Sequence, residues 1–335
     1  MTTAVTRTEP RLPVPAGPLS AAVFDLLRRP AGVVDEFEPR ADHLDPYSRD
    51  LQLALYVCYE LHYRGFADVD PDWEWDATLL ESRAQLERVF LDSVRRDVGT
   101  RRSHTTADSE MTSVATEPAL GTGPSWHLRD HGTWEQAREY FVHRSLYHLK
   151  EGDPHAWAIP RLGGQAKASF VAVEFDEYGA GRGERVHQQL FADLLAAAGL
   201  NAEYLAYLGN VPAESLAVVN LMSLFGLHRR WRGAAVGHFA ATEITSSPGS
   251  SRLVAGLRRM GAPEPCVRFY AEHVEADAVH ELVVRTDVVA DLLRHEPALE
   301  VDVVFGIRAH AAVEDRLAAA MTTAWSAGRS SLIAI

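Results

Sequence analysis

The stretch FYAEHVEADAVHELVV, residues 269–284, decides how this chain is read. Its apolar residues recur at helical spacing, yet it also carries two histidines and four carboxylates. Taking His273 as origin, Asp277 and His280 lie at about 40° and about −20° around a helix axis, so the three share one stripe. Cys266, Phe269, Tyr270 and Val284 fall on that same stripe, which places the polar trio on the face expected to be buried. Glu275 and Arg268 lie opposite, where a solvated face belongs. Glu272 and Glu281, on the flanks, read as bystanders. Buried imidazoles and carboxylates need partners. Two readings meet that need: a His–Asp–His hydrogen-bond network inside a core, or coordination of a metal by donors at i, i+4 and i+7.

Composition narrows the classes of function. The chain has 335 residues, of which 47% are hydrophobic and 24% charged, enough apolar residues for a sizeable core. Its net charge of −13 is spread along the chain, and no basic, aromatic-interleaved patch occurs, which argues against nucleic-acid binding. Cys58 and Cys266 are the only cysteines, excluding a disulfide scaffold or a cysteine-based zinc site and fitting a reducing compartment. The N-terminal MTTAVTRTEPRLPVPAGP lacks the apolar core of a signal peptide, and no run reaches the length of a membrane span. A cytoplasmic protein with no membrane partner is expected.

Residues 1–18 are Pro-rich and expected to be flexible. From Leu19 onward, LSAAVFDLLRRP, RDLQLALYVCYELHYRGF and ATLLESRAQLERVFLDSVRRDV place apolar residues at i, i+3 and i+4. The polar stretch 99–126 reads as a loop or lid. Helical patterns then return repeatedly to the C-terminal end, with short strands conceivable only around ALEVDVVFGI. There is no strand–turn–helix alternation and no dinucleotide-binding loop. The fold class is all-α.

If the trio binds metal, other helices must supply further donors. Glu243 shares its helical face with Val236, Phe239 and Ala240, while Gly233 and Gly237 would let a neighbouring helix approach closely. The alternative for Glu243 is a carboxylate reaching solvent at a helix end near TSSPG. His238 points about 140° away from it and reads as a surface or capping residue. In VEFDEYGAGRGERVHQQLF, Glu184 stands three residues before His187, the spacing common in di-iron bundles. Glu177 stands ten before it, across glycines that could break a helix. Spacing alone leaves Glu177 and Glu184 in competition, with Glu174 and Asp176 assigned to solvent.

The motifs KEGDPHAWAIPRL, DEYGAGRGERVHQQLF, GHFAATEITS and FYAEHVEADAVHE, in this order, resemble the haem-oxygenase-like di-iron oxidases, most closely their N-oxygenating branch. The resemblance covers about residues 135–295 and implies a haem-oxygenase-like helical bundle over 127–335, preceded by accessory helices and the polar loop over 19–126. It implies Glu177 rather than Glu184 as the partner of His187, Glu243 as a bridging-type carboxylate, and His273, Asp277 and His280 as ligands from a further helix. It also implies one more carboxylate upstream, Glu151, with His148 and His155 as outer or surface residues. The implied metal set is therefore Glu151, Glu177, His187, Glu243, His273, Asp277 and His280.

Three imidazoles and four carboxylates suit iron or manganese, and four carboxylate charges balance two divalent ions. The resemblance implies two iron ions as cofactor and O2 as cosubstrate, used to N-oxygenate a small amine to a hydroxylamine, and on to nitroso or nitro, in natural-product biosynthesis. An alternative on the same fold is desaturation or oxidative C–C cleavage of an amino or fatty acid. No flavin or nicotinamide motif is present, so an external electron donor is implied. A homodimer is compatible with the sequence. Arg161, Arg182, Arg185 and Tyr178 lie near ligand positions and could hold a substrate carboxylate, although surface or supporting roles suit each of them as well.

Overall fold

The N-terminal layer begins with α1 (Pro18–Leu27), α2 (Arg49–Glu60) and α3 (Ala77–Val98). Short helices follow as α4 (Ala107–Ala115) and α5 (Pro124–Asp130), then α6 (Trp134–His148), α7 (Asp153–Ala156), α8 (Gly164–Glu177) and α9 (His187–Ala197). The chain closes with α10 (Ala213–Leu227), α11 (Arg232–Met260), α12 (Glu264–Val283), α13 (Ala290–His295) and α14 (Glu300–Ser326). These elements come from a computed structural model that describes residues 9–33, 44–99, 105–117 and 121–333. Among the described residues there is no strand, so the protein is all-α. None of their helices is long and apolar enough to cross a membrane. Part of the Pro-rich segment expected to be flexible, residues 1–8, lies outside the described residues.

Local sequence explains the helix ends. The side chains of Ser48, Asp76 and Thr133 each accept a hydrogen bond from a first-turn N–H of α2, α3 and α6, satisfying donors that a helix start leaves unpaired. Gly261, in the left-handed region, ends α11.

Three expectations need correction. The stretch 99–126 is not simply a loop: Thr106 and Ser109 form a reciprocal cap that starts α4, and Pro124 opens α5. Residues 100–104 and 118–120 within it lie outside the described residues. The segment 298–307 forms no strand, because its valines enter α14, where Val303 and Val304 are buried against α11. Tertiary packing overrides β-propensity there. TSSPG is no helix end either, since α11 runs through Pro248 without a break.

α10 is buried along almost its whole length and packs against α2, α6, α7, α11 and α14. Leu, Phe, Tyr and Trp side chains from α1 through α14 make one large apolar cluster, so the N-terminal helices share a core with the rest of the chain. A smaller cluster joins α8, α11, the π-helical turn Val284–Val289 and α14. α12 gives Cys266, Val267, Phe269 and Tyr270 to the large cluster, and Val284 just beyond it belongs to the small one. The polar stripe of α12 therefore lies at the seam between the two.

Candidate metal centre

Five structural elements bring acid and imidazole groups to that seam. Glu151 sits in the turn between α6 and α7, Glu177 at the last residue of α8, His187 at the first residue of α9, Glu243 in α11, and His273, Asp277 and His280 in α12. All seven are buried. They form two groups, Glu151, Glu177, His187 and His273, and Glu177, Glu243, Asp277 and His280, with the donor atoms of each group within 4.8 Å of one another. Glu177 belongs to both.

The glycine-rich link between α8 and α9 explains how Glu177 meets His187. Two 3-10 turns, at Gly179–Gly181 and Gly183–Arg185, fold the chain back on itself. Gly179 has φ 71°, and a Cβ there would lie 2.6 Å from the carbonyl carbon of Arg185 and the amide nitrogen of Val186, so only glycine fits this close return. Glu177 Oε2 thereby comes to 2.7 Å from His187 Nδ1. Glu184, its rival by spacing, is carried out into solvent.

Orienting contacts aim the donors inward. His273 Nδ1 lies 2.8 Å from the Phe269 carbonyl oxygen, which fixes an N–H on Nδ1 and turns Nε2 to the cluster. His280 Nε2 lies 3.2 Å from Asp176 Oδ2, while its Nδ1 lies 3.1 Å from Glu243 Oε2 and 3.4 Å from Asp277 Oδ1. His148 Nδ1 lies 2.8 Å from Glu151 Oε1. Asp176 is half exposed, as expected, but it orients a cluster histidine.

The donors satisfy one another only in part, as His280 does with Glu243. Glu151 Oε2, His187 Nδ1, His273 Nε2 and Asp277 Oδ1 are buried without a hydrogen-bond partner, even where a neighbouring donor atom is close. A core network would pair these atoms, because each buried orphan costs about 1–3 kcal/mol. Lone pairs converging on a common centre suit a cation instead, and nitrogen and oxygen donors in this ratio suit iron or manganese. The residues therefore fit a metal centre.

Electrostatics agree with that fit. Burial opposes charge on His273 and His280, but their carboxylate neighbours outweigh it, raising the pKa of His273 to about 10 through Glu151 and that of His280 to about 11 through Asp277 and Glu243. Burial likewise resists ionisation of Glu151, yet His148 and His273 hold its carboxyl well below the usual range. Glu243 is pushed up to about 8, first by burial, with the charges of Asp277 and Glu177 adding to it against the His280 hydrogen bond. The Tyr147 hydroxyl rises well above its ordinary value through burial and then through Glu151, Glu177, Glu243 and Glu174. It stays a neutral O–H in the field of the site's acids.

Several residues around the centre are placed differently from the sequence reading. Glu174, assigned to solvent, is 2% exposed with neither oxygen paired. Burial, and next the charge of Glu177, raise its pKa well above the ordinary value. His238, read as a surface residue, is fully buried, with its Nδ1 3.2 Å from His155 Nε2 and its ring against His310. His155 is buried as well. The signal missed is that α11 is enclosed by α5, α10, α12 and α14 and has no solvent face along this stretch. Arg161 donates to the carbonyls of Gly226 and Leu227 at the end of α10. Arg182 and Arg185 are exposed, and the Tyr178 hydroxyl donates to Asp153.

A family model described as iron-containing redox enzyme matches residues 138–315, more than half of the chain and a span that includes all seven cluster residues. No curated protein matches the chain.

Proposed function

The chain belongs to the iron-containing redox enzyme family, and on that premise we propose that it is a two-iron oxygenase that N-oxygenates a small amine in natural-product biosynthesis. The observation that carries this reading is the pair of buried donor groups sharing Glu177, with Glu151 as the fourth carboxylate of the cluster, in the first group. Glu151 separates this reading from its alternative, because an exposed Glu151 would leave desaturation or C–C cleavage on the same fold equally supported.

Glu151, Glu177, His187 and His273 would hold one iron, and Glu177, Glu243, Asp277 and His280 the other. Iron held by these residues would supply the electrons and Lewis acidity for reducing O2 and oxygenating nitrogen. The balance is RNH2 + O2 + 2e− + 2H+ → RNHOH + H2O, with the electrons renewed by an external donor. Four carboxylates, ionised once metal is bound, would neutralise two divalent charges inside a low-dielectric interior, where uncompensated charge is costly. The Phe269 carbonyl and Asp176 lock the orientations of His273 and His280. Tyr147, held protonated, stands among the site's acids as a hydrogen-bond donor. Phe170, Phe191, Phe239 and Phe269 lie on either side of the seam and keep bulk water out.

The test is to load the protein anaerobically with ferrous iron, add a chemical reductant, 18O2 and a panel of amines, free amino acids and heteroaromatic amines, and read product masses. Incorporation of labelled oxygen on nitrogen is expected. Loss of two hydrogens or a shortened carbon chain, with no labelled nitrogen product, would favour the alternative.

A further inference from the structure

The family match begins at residue 138, so it gives no account of α2 or of the turn that follows it. Glu60, at the end of α2, is completely buried, and so, at 1% exposure, is Lys150. Lys150 Nζ donates to Glu60 Oε2 at 2.9 Å, the Tyr204 hydroxyl donates to Glu60 Oε1 at 2.7 Å, and the ammonium lies 4.2 Å and 4.7 Å from the ring centres of Tyr63 and Tyr56. Lys150 is the residue next to Glu151. A second strap starts at Arg64, whose Nη2 donates to the Leu149 carbonyl at 3.2 Å and to Gln188 Oε1 at 2.8 Å. Gln188 Nε2 then donates to the Glu151 carbonyl at 3.0 Å, and Gln188 is the residue next to His187. Both straps run from the N-terminal layer to the backbone around two donors of the same group.

We propose that α2 and the turn after it are a positioning device for one half of the metal centre, in which Glu60 and Arg64 fix the turn of Glu151 and the start of α9 at His187. A wholly buried Lys–Glu pair is a poor source of stability, since desolvating two charges offsets most of their attraction. Its directional bonds do fix where a backbone lies. Outer partners of metal ligands set ligand orientation in the same way, and losing them lowers metal affinity by about 10- to 100-fold. Among the described residues no strap of this kind reaches Glu243, Asp277 or His280, which are held by α11 and α12. The device therefore acts on one metal position and not on the other. This inference rests on the two-metal reading above.

The test counts metal rather than turnover. Mn2+ is titrated anaerobically into the full chain and followed by electron paramagnetic resonance, which distinguishes free ions, isolated bound ions and exchange-coupled pairs. Wild type should bind two ions as a coupled pair. Glu60→Leu combined with Lys150→Met removes both charges together, and Arg64→Ala removes the second strap through a side chain that is 28% exposed. Each should keep one tightly bound, isolated ion and bind the other about 10- to 100-fold more weakly. If the combined variant fails to fold, Arg64→Ala decides alone. Coupled pairs of wild-type affinity in the variants would overturn the inference and leave the two-metal reading standing, as would equal weakening of both ions in step with a lowered melting temperature. Fewer than two ions in wild type would overturn both.

Discussion

Gly237→Ala tests the crossing that places Glu243. A Cβ at Gly237 would lie 2.0 Å from the Val303 carbonyl oxygen and 2.8 Å from its carbon, and on the facing helix a Cβ at Gly306 would lie 2.1 Å from the Ala234 oxygen. The atoms in the way are backbone, so no rotamer change relieves the clash. α11 and α14 would have to separate by at least about 1 Å, against an interior packed like a crystal. Overpacking of this kind costs about 1–3 kcal/mol, and the upper end applies because the obstacle is rigid. Alanine's better helix propensity returns about 0.5–1 kcal/mol, leaving a net loss of about 2 kcal/mol. Gly249→Ala, in the same helix, is the control: the nearest atom to its new methyl is an Arg252 guanidinium nitrogen at 3.8 Å, an ordinary van der Waals contact, so a gain of about 0.5–1 kcal/mol is expected. Denaturant unfolding of the two variants beside wild type reads both values. Equal stability of Gly237→Ala and Gly249→Ala would refute the packing argument.

In the metal-free chain His273 and His280 hold protons up to about pH 10 and about pH 11, and a metal must displace them. Affinity for Fe2+ or Mn2+ should therefore rise with pH, by about tenfold per unit for each proton released; an affinity flat from about pH 6.5 to about pH 8.5 would contradict this. The linkage has the opposite sign for the metal-free fold. The stability those protonated imidazoles contribute is fully present below about pH 6.5, their unfolded pKa, and is lost as pH rises through their folded values. His238→Leu removes a buried ring that pairs with His155 Nε2 through its Nδ1, so it should keep the wild-type metal count while losing about 1–3 kcal/mol of stability for the orphaned partner; loss of a bound ion would show that His238 serves the centre.

The polar stripe of α12 was legible because helical periodicity alone places His273, Asp277 and His280 together. Close approach at Gly233 and Gly237 was legible too, from residues too small to have another purpose on a buried face. The choice of Glu177 over Glu184 was not, because it depends on the fold-back at Gly179, which no spacing rule encodes. His238 was misread for a related reason. Angular separation from Glu243 says that it faces elsewhere, but only the surrounding helices show that elsewhere is also interior. Glu174 went to solvent because a lone acid among acids is a costly thing to bury, and the cost is tolerated beside Glu177. The polar run at 99–126 looked like loop because Ser, Thr and Asp favour both loops and helix starts, and there Thr106 caps a helix.

The most direct test of the two-metal account is to count iron in wild type and in Glu177→Ala, using 57Fe loading under anaerobic conditions and Mössbauer spectroscopy. Glu177 is the one residue common to both donor groups. The account predicts two ferrous ions per wild-type chain and the loss of both from the variant while the fold, followed by circular dichroism, persists. Two ions with an unchanged spectrum in Glu177→Ala would contradict it.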